Sequence, residues 1–498
     1  MLGMKAPSVA GIIGFLVATA RADGPTEQSI FGDINSLFPC EAVAKVISNA
    51  STVYYPGSSE YTADVLHWSS TNVIHPACSV EPGTPEDVGA ILRILASSRT
   101  PFAVKGGGHN TNPGFSSTEG VHISMSRFND VIVNSSEGTV DIGAGLIWDD
   151  VYAALDGTGV NVVGGRIPGV GVAGFMLGGG FSWKTSQYGL GIDTVKAFEL
   201  VLPDGTITNV TEANKDLWFA LRGGLNNFGI VTKFTLKTYP ETEVWAGMLI
   251  MSMEHVREFN AAVVKYCAEV TDKKAALAPV YTRPSGSPAT MLGAVLFYDG
   301  PSPPAGVFDE FLAIPTIAGG AQTGSFLSFI MSMVAAVPPP GGRRSYSGIP
   351  VLQYSASLIE VVRNETVFWG DRLTKLDPTF SVTNALEPFD PTMFSYGAPS
   401  AYPPDRSRPL YPTNLFYSWT DPSLDPVVHD AIWQSTKAIE AAALAEGQEL
   451  VGAATYPNYA LHDKPLEGIY GKELARLKSI KRRYDPQNVM GLAGGFKL

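Results

Sequence analysis

The run G-V-G-V-A-G-F-M-L-G-G-G-F-S, Gly169 to Ser182, decides what kind of chain this is. Its first six residues satisfy G-x-G-x-x-G, the spacing that lets a backbone approach a pyrophosphate in a nicotinamide-binding Rossmann unit, and Asp193 lies downstream where a ribose-binding acid would stand. The surroundings refuse that reading. Pro168 precedes the motif where a strand should end, Gly178, Gly179 and Gly180 interrupt the helix that should open on the loop, and Asp193 stands before a strand that enters a hairpin. A second glycine loop points elsewhere. In V-K-G-G-G-H-N-T-N-P-G, Val104 to Gly114, three glycines permit positive φ and close approach of another group, and they end on His109, one of seven histidines.

Around these loops helix and strand patterns mix in an α+β rhythm. Thr84-Pro85 opens a helix with Val88, Ile91, Leu92 and Leu95 on one face. Strands are predicted at Phe102 to Val104, Val121 to Ser124, Asp130 to Val133 and Thr139 to Ile142, then a helix through Trp148, Val151, Tyr152 and Leu155. Lys196 to Val210 reads as a hairpin about Asp204-Gly205, and Gly229 to Lys237 as a strand. Residues 243–450 are rich in aromatics and read as a second domain, with strands at Gly293 to Tyr298 and Asn414 to Trp419 and a loop from Pro338 to Gly348. The last stretch, Tyr456-Pro457-Asn458-Tyr459 and a helix carrying Leu474, Leu477 and Ile480, reads as a return segment.

Composition narrows the function. Charged residues are 16% of the chain and the formal charge is −12, so phosphate backbones have no basic face to meet; Lys478 to Arg483 is the one compact basic run, and nucleic acid is discounted. Lys5, the apolar run Val9 to Ala20 and either Ala18-Thr19-Ala20 or Ala20-Arg21-Ala22 fit a cleaved export signal over 1–22, too short to span a membrane. A secreted or lumenal chain is expected, with N-glycosylation sequons at Asn49, Asn134, Asn209 and Asn364. In that compartment Cys40 and Cys78 are the natural disulfide pair, and Cys267, on a helical pattern with Phe259 and Val263, is expected to be a buried free thiol. No metal site is expected. His67, His75, His122, His255, His429 and His462 share no metal-ligand spacing and read as structural.

Taken together, P-x-x-x-E-P-G-T-P-E-D-V (Pro76 to Val88), V-K-G-G-G-H-N, the glycine run from Gly169, D-L-W-F-A-L-R-G-G-L-N-N-F-G-I-V-T (Asp216 to Thr232), Y-P-N-Y and Y-D-P-Q-N resemble the vanillyl-alcohol oxidase superfamily of flavoproteins and, within it, the berberine bridge enzyme-like oxidoreductases. The resemblance covers about residues 40–240 and 450–490. It implies a two-part FAD-binding domain of the p-cresol methylhydroxylase type over 23–242, with its core from about 70, an α+β substrate domain over 243–450 with a mainly antiparallel sheet, and a C-terminal segment over 451–498 that returns to the first.

The resemblance also assigns roles. His109 stands where relatives join the flavin ring methyl to an imidazole, an 8α-histidyl FAD. Lys105, Gly106, Gly107, Gly108, Asn110, Val170, Gly171, Gly174, Gly178, Gly179, Gly180, Ile230 and Asn488 are the implied cofactor contacts. Many relatives add a cysteine link at the position of Ile167, so only one tether is expected here. Val170 stands where a small residue admits oxygen to the flavin. Tyr459 matches the tyrosine that relatives use as base, and a phenol with an ordinary pKa near ~10 needs a neighbouring group to serve so; Tyr456 is read as a packing residue. The implied activity is a secreted, monomeric oxidase of a small alcohol, phenol or specialised metabolite that passes electrons to O2 and releases H2O2. A flavin-bound cyclase without net redox turnover and a carbohydrate oxidase are the alternatives, and a non-catalytic glycoprotein is disfavoured by the intact loops.

Overall fold

Four short strands open the first half of the computed structural model, which describes residues 38–334 and 337–498. The expected export signal, 1–22, lies outside the described residues. Strand β1 (Thr52–Tyr54), helix α1 (Ser59–Val65), β2 (Cys78–Glu81), helix α2 (Pro85–Ser98), β3 (Phe102–Lys105) and β4 (Val121–Ser124) make a sheet of order β1-β2-β4-β3. β2 and β3 run parallel to β4, and β1 runs antiparallel to β2. Helix α2 starts where the sequence places it: the Thr84 hydroxyl accepts the Asp87 amide, and Pro85 fills the first turn, where no intrahelical N–H partner is needed. The Cys40–Cys78 disulfide ties the helix Pro39–Val46 to β2.

A second sheet follows from β5 (Val131–Asn134), β6 (Thr139–Gly143), β7 (Val195–Val201), β8 (Ile207–Val210) and β9 (Ile230–Lys237), in the order β5-β6-β9-β7-β8 and antiparallel throughout. Helices α3 (Trp148–Leu155) and α4 (Val172–Gly178) lie between β6 and β7 in the chain. The hairpin joining β7 to β8 turns at Asp204-Gly205 with Gly205 at φ 83°, the left-handed conformation for which glycine has no steric penalty.

The second half is built on seven antiparallel strands: β10 (Val244–Ser252), β11 (Ala275–Arg283), β12 (Met291–Tyr298), β13 (Thr316–Gly324), β14 (Arg343–Val351), β15 (Ser381–Ala385) and β16 (Tyr411–Trp419), ordered β13-β10-β12-β11-β15-β16-β14. Helices α5 (Val256–Glu269), α6 (Ala356–Leu373) and α7 (Asp425–Ala445) bury Phe259, Leu358, Val362 and Ile432 against Leu292, Leu296, Leu415 and Tyr417 of one face. The opposite face of β14 and β16, with Arg344, Tyr346 and Phe416, is left for the site. After α7 the chain passes through Tyr456 to Tyr459 into helix α8 (Leu474–Tyr484).

Two expectations fail here. Arg343 to Gly348 belong to a strand rather than a loop, because β14 pairs with β16 in register from Arg343↔Trp419 to Val351↔Tyr411 and its residues alternate between core and site. Cys267 is a free but exposed thiol. The buried stripe of α5 runs through Phe259, Ala262, Val263 and Tyr266, and a rotation of about 100° per residue carries position 267 past its edge.

Candidate functional site

The glycine loop leaves the end of β3 directly, and its backbone is the first element of the site. None of the amides from Gly106 to Asn110 donates to a protein acceptor among the described residues, so five successive N–H groups are left for another partner. That is the donor set of an anion nest. Gly108 sits at φ 67° and turns the chain so that His109 leaves the loop. A β-carbon on Gly174 would have nothing within 4 Å, so the second loop contributes open space beside the first. His109 Nε2 is buried with no hydrogen-bond partner. An extended diphosphate with a ring beside His109 fits these features, and FAD is such a group.

Several implied contacts have other work. Gly107 and Gly171 press on each other: a β-carbon on Gly107 would come within 2.5 Å of the Gly171 Cα. Lys105 turns its ammonium away from the loop, donating to the carbonyls of Asp64 and Leu66 at the end of α1, so it caps that helix rather than reaching a phosphate. The Asn110 side chain accepts the Asn112 amide at 2.7 Å. Gly178, Gly179 and Gly180 admit protein rather than ligand, since β-carbons there would meet Asn458, Tyr402 and Phe175 at 2.2, 2.9 and 2.6 Å. Val170 is half-buried, and its carbonyl accepts the Trp148 amide. Ile230 is buried and paired with Val201, while Asn488 occupies a turn at φ 51° beyond α8. Asp193 is no ribose acid: it is buried and ion-paired to Arg222 and Arg406 at 2.9 and 2.8 Å.

His109 begins a wall of aromatic rings. Its imidazole stacks on Trp68 with centroids 4.0 Å apart and planes 9° from parallel. Trp68 continues to Tyr346 and Phe416, at 5.9 and 5.7 Å, and Tyr346 stacks on Tyr459 at 5.8 Å. The Arg344 guanidinium lies 4.2 Å above the Trp68 ring. Burial, and then the Arg344 charge, push the His109 pKa down to about 3. The imidazole is therefore neutral at physiological pH and keeps a free lone pair.

Tyr459 closes the other end. Arg166 Nη2 donates to the Tyr459 oxygen at 2.6 Å, and the Tyr459 hydroxyl donates to Glu387 Oε1 at 3.0 Å. Arg166 also donates to both Glu387 oxygens at 2.9 Å, with the two side chains 13% and 4% exposed. Burial raises the Glu387 pKa, and Arg166 opposes that rise. The same burial raises the Tyr459 phenol well above its ordinary value, with Arg166 lowering it and Glu387 raising it. For Arg166 burial disfavours the charge, but Glu387 and the tyrosines outweigh it and its pKa is raised. Tyr456 packs with Phe181, Leu190 and Tyr402, and its hydroxyl accepts the Gly180 amide at 3.1 Å.

Sequence reasoning missed Arg166, Glu387, Trp68, Tyr346 and Phe416. Arg166 was within reach of it, being the residue before Ile167 in G-R-I-P-G. Glu387 lies in no motif and arrives from the far sheet.

The FAD binding domain family matches residues 76–211, and the berberine and berberine-like family matches residues 455–493. The FAD-dependent monooxygenase tpcD of Cochliobolus heterostrophus is 31% identical over 98% of this chain and 99% of its own. An uncharacterized FAD-linked oxidoreductase of Arthroderma benhamiae is 36% identical, over 58% of this chain and only 58% of its own length. Among solved structures, the BBE-like 1 protein of Physcomitrella patens superposes with a TM-score of 0.75 at 22% identity, covering 91% of this chain and 97% of its own.

Proposed function

The chain belongs to the berberine bridge enzyme-like family of FAD-dependent oxidoreductases, and from that premise we propose that it oxidises a small alcohol, phenol or specialised metabolite with Tyr459 as the base. The observation that carries this is the Arg166–Tyr459–Glu387 cluster at one end of an aromatic wall whose other end is His109. When bound, FAD supplies the hydride acceptor and passes the electrons on to O2, giving H2O2.

The residues supply position and proton transfer. The amides of Gly106 to Asn110 would hold the diphosphate, and His109, neutral and unpartnered at Nε2, would be the residue to carry the flavin covalently. Ile167 offers no sulfur, so the tether is single. Trp68, Tyr346 and Phe416 exclude water along the substrate's path. Tyr459, as the phenolate, takes the proton of the substrate hydroxyl, with the Arg166 charge favouring that form and the Glu387 charge opposing it. Arg166 holds both oxygens in line. In this reading 23–242 binds FAD, 243–450 the substrate, and 451–498 brings Tyr459 back to the flavin. The protein is a secreted monomer with glycans on Asn49, Asn134, Asn209 and Asn364.

The test is anaerobic mixing of the purified protein with a panel of alcohols and phenols, followed by flavin absorbance, O2 uptake and H2O2 release. Bleaching and one H2O2 per O2 support the oxidase. Oxygen consumed without peroxide replaces it with the monooxygenase reaction for which the Cochliobolus relative is named. Substrate conversion without bleaching replaces it with a cyclase.

A further inference from the structure

His429 projects from α7, and His462 and Asp463 follow Tyr459 by three and four residues. These side chains have no part in the flavin chemistry. One ligand atom of each lies within 4.8 Å of those of the other two. His429 Nε2 and Asp463 Oδ2 are 3.0 Å apart, and the two imidazoles face each other with centroids at 4.9 Å and planes tilted by 33°. Trp433 Nε1 donates to both Asp463 oxygens at 3.0 Å and fixes the carboxylate. His462 is exposed, and among the described residues neither of its ring nitrogens has a protein hydrogen-bond partner; only its backbone amide is engaged, by Asn112. His429 and Trp433 are both bonded to Asp463, and His462 brings an unpartnered imidazole beside them.

We infer that His429, His462 and Asp463 form a site for one divalent transition metal ion of the zinc type. Two imidazole nitrogens and one carboxylate, with the fourth position open to water, are the donor set that Zn2+ accepts in tetrahedral geometry, and Trp433 plays the orienting role that outer partners play around such ligands. Calcium and magnesium need more oxygen ligands than one carboxylate supplies. Lys437 and Lys464 lie over the Trp433 ring at 5.7 and 5.6 Å, so their charges oppose any cation bound by electrostatics alone and leave the affinity to coordination. The 33 positions separating His429 from His462 conceal the site from spacing arguments, which is why the histidines read as unrelated in the sequence.

The metal would join three parts of the chain. It links α7 to the segment bearing Tyr459, and that segment is already bonded to the His109 loop: Asn112 Oδ1 accepts the His462 amide at 3.1 Å, and Asn112 Nδ2 donates to the Ala460 carbonyl at 2.8 Å. The inference rests on this surface geometry and is independent of the proposed reaction.

The test is equilibrium dialysis of chelator-stripped holoenzyme against ZnCl2, counting metal per chain. The wild type should bind one Zn2+. His429→Ala and His462→Ala should each lose that ion or bind it at least about tenfold more weakly, and Trp433→Phe should lose about 10- to 100-fold in affinity. His75→Ala, which removes an exposed histidine outside the cluster, should match the wild type. Flavin absorbance and metal-free melting temperature establish that each variant is folded. Absence of a stoichiometric ion in the wild type, or an unchanged ion in both histidine variants, overturns the site.

Discussion

Removing either charge beside Tyr459 should move the pH dependence of catalysis, and the two removals should move it in opposite directions. Arg166 Nη2 lies 2.6 Å and Glu387 Oε1 3.0 Å from the phenol oxygen. At an effective dielectric of ~20, unit charges at these distances act on a phenolate with about 6 kcal/mol of attraction and about 5 to 6 kcal/mol of repulsion. They cancel to within about 1 kcal/mol, so burial decides and the phenol stays protonated, in line with the raised pKa. Glu387→Gln removes the repulsion and leaves the attraction. The rising limb of the anaerobic flavin-reduction rate should then shift to lower pH by more than about one unit, since one unit corresponds to about 1.4 kcal/mol. Arg166→Met removes the attraction, and the limb should shift by a similar amount to higher pH. The assay is stopped-flow reduction at saturating substrate across the pH range, with flavin absorbance and melting temperature confirming a folded holoenzyme. Shifts of the same sign in the two variants, or a limb unmoved in both, would refute the assignment of Tyr459 as a base set by this pair.

Three further outcomes test other parts of the account. His109→Ala should release flavin into the supernatant on acid precipitation, where the wild-type precipitate stays yellow; free flavin from the wild type removes the tether. Gly107→Ala, whose methyl meets the Gly171 backbone at 2.5 Å, should lower both melting temperature and flavin content, whereas Gly174→Ala has nothing within 4 Å and should stabilise the cofactor-free helix by about 0.5–1 kcal/mol while reducing flavin content. Burial, then Lys105 and His67, lowers the His122 pKa from 6.5 to about 3. The unfolded chain binds that proton below about pH 6.5 and the folded chain does not, so stability is full above that pH and falls as pH drops towards about 3, by about 1.4 kcal/mol per unit for this group. His122→Asn should flatten that slope in urea unfolding measured between pH 6.5 and about pH 4.5; an unchanged slope means the proton is taken up elsewhere.

The strand-and-loop framework of the first half was legible because its signals are local. The Thr84-Pro85 helix start, the Asp204-Gly205 turn and the glycine runs each depend on the φ preferences and periodicity of neighbouring residues, and the structure places them where the sequence suggests. Reading failed where a residue's partner is distant. Arg343 to Gly348 looks like a loop until β16 pairs with it, and Lys105 looks like a cofactor contact until the end of α1 presents two carbonyls to it. Gly178 to Gly180 look like cofactor contacts until Asn458 and Tyr402 fill the space beside them.

What the amino-acid order determined unaided was the family and the pair of glycine loops, and it singled out His109 and Tyr459 as candidates, because each is written in a short run whose chemistry its own neighbours constrain. Which charges face Tyr459 was decided only by the tertiary structure. Arg166 and Glu387 lie 221 residues apart, and their opposed fields act on one oxygen only once the segment before α4, the segment after β15 and the C-terminal stretch have come together.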